Sequence, residues 1–175
     1  MLYWLPPAAL PGPGGLAMLP MPGNQLMGRR LEADLAHLAR AGISLLVTLN
    51  PHEELARFCS HSFLEQVRQA GLESRHFPIR DGDAPPDLQE TDALIGELRN
   101  KIGAGARVGV HCMAGLGRTG TIAACLLVRG GATHQEAIRV VRETRSPHAV
   151  ETRQQAAFVR EYDEWLRLYA GLRIG

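Results

Sequence analysis

The apolar positions of the 175-residue chain change period along its length, and the changes map a series of elements. Leu31, Leu35, Leu38 and Ala39 recur at helical spacing, Gly42 closes that stretch, and residues 43–49 (Ile-Ser-Leu-Leu-Val-Thr-Leu) follow as an apolar, β-rich run. A helix feeding a buried strand is predicted there. Residues 62–70 read as a further helix stopped at Gly71, residues 72–79 as a strand, and residues 80–86 (Arg-Asp-Gly-Asp-Ala-Pro-Pro) as a loop. Asp87 with Glu90 three positions on marks a helix start, with Leu94, Ile95, Leu98 and Ile102 on its buried face. Residues 107–110 read as a short buried strand, residues 121–128 as an almost wholly apolar helix, and Thr133 with Glu136 as a capping box opening another. Phe158, Tyr162, Trp165, Leu166 and Tyr169 then recur at 3.6-residue spacing along a last helix.

Strands that alternate with helices and then give way to helices alone predict one α/β domain. Its central sheet is mostly parallel and flanked by helices, and its C-terminal part is helical. Residues 1–23 are apolar but carry six prolines. They read as a Pro/Gly-rich arm packed on, or leading into, a domain at 24–175, with at most a short edge strand; a disordered leader fits the same composition. The arm lacks the basic start of a signal peptide, and no segment reaches roughly 18 uninterrupted apolar residues, so no membrane span is expected.

Charge and cysteine content narrow the partners. Lys plus Arg number 19 against 18 for Asp plus Glu, too even for a general attraction to nucleic acid or anionic lipid. Any affinity for phosphate must be local. Cys59, Cys112 and Cys125 form neither an even set nor a CxxC pair, so a reducing, cytoplasmic setting is expected, with no disulfide framework, no metal and no cofactor. Cys125, on the apolar helix, reads as core.

The chemistry concentrates in residues 111–120, His-Cys-Met-Ala-Gly-Leu-Gly-Arg-Thr-Gly, placed where a strand turns into a helix. Amides of such a loop can converge on an anion at a helix N-terminus. A phosphate dianion repels anionic nucleophiles, so metal-free attack needs its oxygens neutralised and a nucleophile already ionised. A free thiol ionises near pH 8.5, and a helix N-terminus with a nearby guanidinium favours the thiolate. Cys112 is therefore the candidate nucleophile. Arg118 offers a planar fork for two phosphoryl oxygens, Met113, Ala114, Gly115, Leu116 and Gly117 offer the amides, and Thr119 has a hydroxyl that can ease departure of the sulfur. His111 reads as ordering the loop. Gly115 to Gly120 also match the GxGxxG of dinucleotide sites, but the second strand and terminal acidic residue that such sites need do not follow.

His-Cys-x5-Arg-Thr-Gly resembles the signature of the cysteine-dependent protein tyrosine phosphatase superfamily. Residues 108–112, 115–121 and Val150-Glu151-Thr152 with Gln155 look like the small atypical dual-specificity phosphatases, and Pro78-Ile79-Arg80-Asp81-Gly82 is similar to the acid loop of the kinase-associated type. The resemblance implies hydrolysis of phosphotyrosine in proteins or peptides through a cysteinyl-phosphate, with phosphoserine and phosphothreonine left open as further substrates. Asp81 is the implied general acid, with Asp83 the alternative two residues on, and Gln155 joins His111 as structural support. Phosphate, vanadate and other oxyanions are expected in the loop; oligomeric state stays open. Positions where phosphoinositide-hydrolysing relatives carry lysine are Met113, Ala114, Leu116 and Gly117 here, which turns the expectation away from lipid substrates. A phosphate-binding module with little turnover is the alternative from another class. Arg139, Arg142, Arg145 and Arg153 read as a solvated face or a basic approach for substrate. In some relatives a second cysteine protects the nucleophile as a disulfide, a role open to Cys59.

Overall fold

A computed structural model describes residues 1–172, with side chains to residue 168. Five strands form one sheet: β1 (Tyr3–Trp4), β2 (Gly15–Pro20), β3 (Leu45–Thr48), β4 (Glu73–His76) and β5 (Arg107–Cys112). Their order is β1-β2-β5-β3-β4, and every pairing is parallel except β1 with β2. Among the described residues seven α-helices surround it: α1 (Leu31–Arg40), α2 (His52–Phe58), α3 (Phe63–Gln69), α4 (Leu88–Gly103), α5 (Gly117–Arg129), α6 (His134–Thr144) and α7 (Arg153–Leu172).

The alternation of side chains along each strand divides the core. Leu16, Met18, Leu45, Val47, Val108, Val110 and Cys112 face α4 and α5, with α6 and α7 closing that layer through Ala137, Val141, Val159 and Tyr162. Ala17, Leu19, Leu46 and Ile43 face Leu35 and Leu38 of α1, Leu55 of α2, and Phe63 and Val67 of α3. Residues 117–128 of α5 are all buried, which is why its sequence lacks a polar stripe. Each fully buried Leu, Ile or Val contributes roughly 1.5–3 kcal/mol through removal from water.

Most predicted boundaries shift by one to three residues. Asp87 accepts from the Glu90 amide at 2.8 Å, and Thr133 with Glu136 forms the reciprocal capping box. The packing expected of Tyr169 falls outside the described side chains. Two elements differ more. The N-terminal segment supplies the expected short edge strand, β1, but also β2, which lies inside the sheet, paired with β5 from Gly15↔Arg107 to Pro20↔Cys112; nearby prolines obscured a six-residue apolar run that is buried along nearly its whole length. Helix α2, seven residues with only Leu55 buried, had no apolar period to announce it.

Candidate active site

β5 delivers Cys112 to the carboxyl end of the sheet, 3% exposed, and α5 begins five residues later. Residues 113–116 bend between them, and the hydrogen bonds of this loop run through its carbonyls. Met113 O accepts from Met21 N at 3.0 Å, Ala114 O and Gly115 O from Arg145 Nη2 and Nε at 2.8 and 3.0 Å, and Leu116 O from Gly120 N and Val150 N at 3.0 and 3.3 Å. The amides of residues 113–119 find no acceptor among the described residues. With its carbonyls bonded and its donors unspent, the loop has the donor arrangement with which a helix N-terminus can take an anion. Gly115 makes the turn possible: its φ is 70°, and a Cβ there would lie 2.4 Å from Leu19 O.

Arg118 is the largest side chain that is fully buried, and its two edges differ. Nη1 donates to Glu54 Oε1 and Oε2 at 2.9 and 3.0 Å and to Ile79 O at 2.9 Å. Nε and Nη2, the fork that suits two phosphoryl oxygens, are buried and make no hydrogen bond. Asp81 Oδ1 lies 2.8 Å from Nη2 but off its N–H directions, so this is a charge contact only. A buried guanidinium edge without hydrogen-bond acceptors, on the first turn of the helix that follows a loop of free amides, is costly unless an anion completes it.

The chemistry-bearing residues named from sequence converge here. Asp81 sits at the mouth with a side chain 78% exposed and touches Arg118; Asp83 enters only through its backbone, donating to Arg80 O at 3.1 Å and accepting from Gln155 Nε2 at 3.1 Å. Thr119 Oγ1 is buried with no hydrogen bond. His111 is fully buried, its Nε2 2.9 Å from Thr48 Oγ1. Burial, reinforced by the nearby Arg118 charge, pushes its pKa down to about 3, so the ring beneath the loop is neutral.

The arginines that read as a solvated face or a basic approach separate. Arg145 buttresses the loop from outside and stacks its guanidinium 4.1 Å over the Tyr3 ring; Arg142 holds Ala149 O at 3.0 Å, and Arg139 pairs with Glu143. Cys59 is a free, partly buried thiol packed against the opposite layer of the core from Cys112. Burial, then Asp34, raises the Cys59 thiol to about 11. Cys125 is core as expected, its thiol raised by burial alone.

Sequence reading missed Glu54, the counter-charge of Arg118. Pro51 followed by Glu53 and Glu54 marks a helix start with acidic first-turn residues, a signal that was there to read.

A family model described as Tc-R-P, "Polymorphic toxin system, DSP-PTPase phosphatase", matches residues 23–132. The chain is 28% identical over 176 residues to cyclin-dependent kinase inhibitor 3 of Rattus norvegicus, covering 98% of this chain and 82% of that one. Among solved structures it is similar to kinase associated phosphatase with its catalytic-site cysteine changed to serine. There the TM-score is 0.88 and identity 25%, with 95% and 96% of the two chains covered. It is also similar to Tk-PTP in its active form, with TM-score 0.70, 29% identity and coverage of 87% and 92%.

Proposed function

The chain belongs to the DSP-PTPase phosphatase family, and we propose that it dephosphorylates phosphotyrosine, together with phosphoserine or phosphothreonine, in proteins or peptides, with Cys112 as nucleophile. The observation that carries this reading is the unspent donor set around Cys112: seven amides, residues 113–119, and the Nε/Nη2 edge of Arg118.

In the first step Cys112 Sγ attacks phosphorus as the bond to the leaving oxygen breaks, and protonated Asp81 gives that oxygen its proton. The loop amides and Arg118 take the charge that spreads over the equatorial oxygens. In the second step water attacks the cysteinyl-phosphate, Asp81 accepts its proton, the P–S bond breaks and phosphate leaves. Thr119 Oγ1, buried and otherwise unbonded, stabilises the departing sulfur. His111, neutral and tied to Thr48, fixes the strand end rather than moving protons. Apolar Met113 and Leu116 in place of added cations suit singly phosphorylated side chains over polyphosphorylated lipids. Among the described residues no helix is long and apolar enough to cross a membrane, and three free thiols fit a reducing, cytoplasmic setting.

Reduced protein should hydrolyse para-nitrophenyl phosphate without added metal, with vanadate competing, and Cys112→Ser should abolish turnover while still binding phosphate. No turnover by the intact, reduced chain would leave only a phosphate-binding module. Competition among phosphotyrosine, phosphoserine, phosphothreonine and phosphoinositide substrates then fixes the class, and a strong preference for the lipid would overturn the protein reading.

A further inference from the structure

The loop that carries Asp81 is fastened by its backbone on both sides of the acid. Arg80 O accepts from Asp83 N at 3.1 Å, and Gly82 has φ 78°, the positive angle that the third residue of a type II turn requires. Asp81 is thus the second residue of a closed turn. On its N-terminal side Ile79 N donates to Leu49 O and Ile79 O accepts from Arg118 Nη1, both at 2.9 Å. On its C-terminal side Gly82 O accepts from Thr152 Oγ1 and Asp83 O from Gln155 Nε2, both at 3.1 Å.

The two donors, one just before α7 and one in its first turn, are themselves fixed. Gln155 is fully buried, and its Oε1 accepts from the amides of Glu151 and Thr152 at 2.9 and 3.2 Å. That settles the orientation of the side-chain amide: only Nε2 can face Asp83 O. Thr152 Oγ1 accepts from Gln155 N at 3.1 Å, which leaves its one hydrogen for Gly82 O. The segment joins the nucleophile loop through Val150, whose amide donates to Leu116 O and whose φ of 57° is a conformation that β-branched residues rarely adopt. Strain at that point, paired with a buried network that reaches both loops, is the kind found where geometry serves function.

We propose that Thr152 and Gln155 are positioning residues for the general acid. By holding Gly82 O and Asp83 O they pin the acid turn over Arg118 before any substrate arrives, so Asp81 needs no loop closure to reach the leaving oxygen. This rests on the assignment of Asp81 as the acid. Every hydrogen bond of these two side chains goes to main chain outside residues 113–119, so loss of either should matter in proportion to how much the leaving group needs a proton.

The test compares esters of graded leaving-group acidity, from para-nitrophenyl phosphate through phenyl phosphate to an alkyl phosphate. General acid catalysis supplies roughly 10²–10⁴-fold, and a misplaced acid forfeits part of it. For Thr152→Val and Gln155→Glu, kcat on phenyl phosphate should fall about tenfold or more, while para-nitrophenyl phosphate loses only about twofold and vanadate inhibition holds. Thr152→Ser, which keeps the hydroxyl, should restore the profile even if Gln155→Glu folds poorly. Asp81→Asn serves as the reference and should show the same steepening, larger. If Asp81→Asn steepens the dependence and Thr152→Val slows every ester equally, the positioning role is wrong and the acid assignment stands. If Asp81→Asn itself shows no such selectivity, the acid assignment fails and the proposal with it.

Discussion

Removal of Glu54 separates two effects that the arrangement of Arg118 combines. The guanidinium is 1% exposed, and Glu54, 19% exposed, supplies two of the three acceptors of Nη1. Glu54→Ala leaves a buried cation with one neutral acceptor, Ile79 O, and the off-axis Asp81 contact. Breaking a buried pair typically costs about 3–5 kcal/mol; one carboxylate partly in water and a second nearby put the expected loss near 2–3 kcal/mol. For catalysis the effects oppose each other. Taking away a negative charge favours an incoming dianion, yet the Nε/Nη2 fork loses the anchor that aims it. Orientation should dominate in the transition state, where a misplacement of about 1 Å can cost about 10²-fold. The expected signature is therefore a kcat lowered by about 10–100-fold with a phosphate inhibition constant nearly unchanged, and Glu54→Gln lying between. Urea unfolding measures the first quantity, and steady-state kinetics on para-nitrophenyl phosphate with phosphate as inhibitor measure the second. A Glu54→Ala protein with wild-type kcat, or one whose phosphate affinity collapses while kcat holds, would refute the assignment of Glu54 as the anchor.

Gly115→Ala must place a Cβ 2.4 Å from a backbone oxygen at a φ of 70°, so a loss of about 3 kcal/mol or more is expected in thermal or urea melts, with activity lost before the fold. Arg145→Met keeps the apolar stem beside Tyr3 but releases Ala114 O and Gly115 O; kcat/KM should fall about tenfold, and an unchanged value would show that the loop holds its shape without the buttress. His111 is neutral in the fold down to about pH 3, whereas in the unfolded chain it takes up a proton near pH 6.5. Its contribution is fully present above 6.5 and is lost below it by about 1.4 kcal/mol per pH unit. Melting temperatures of the wild type and His111→Asn between pH 4 and 7 should therefore converge as pH falls, and parallel curves would contradict the depressed histidine.

Features that are contiguous in the chain were legible in it. The Cys112 loop, the turn around Gly82, the Asp87 and Thr133 caps and the apolar α5 each declare themselves within about ten residues, because their chemistry is local. What could not be read depends on partners brought from elsewhere. The acidic start of α2 was open to reading, but not that Glu54 meets Arg118, 64 residues away in sequence. Arg145, one arginine among several on a charged stretch, differs from Arg139 only in having the carbonyls of residues 114 and 115 within reach. The same limit applied to the N-terminal segment, where prolines suggested an arm and the sheet supplied a slot. Thr152 and Gln155 stood in a recognisable motif, yet their target, the main chain of the acid turn, has no side-chain signature at all.

The placement of β2 has a consequence for how the molecule comes to be made. Gly15 to Pro20 pair with a strand that follows about ninety residues later, and Leu19 O and Met21 N form one wall of the nucleophile loop. A chain emerging from the ribosome can pair one edge of this apolar segment with β1 but must hold the other unpaired until β5 has been synthesised, and parallel pairings at such separation form slowly. The prolines at 11, 13 and 22 bracket the waiting strand, Pro20 ends it, and together they oppose its adoption by another chain. What reads as an awkward composition for a buried strand thus also serves as protection during assembly, before there is any site to protect.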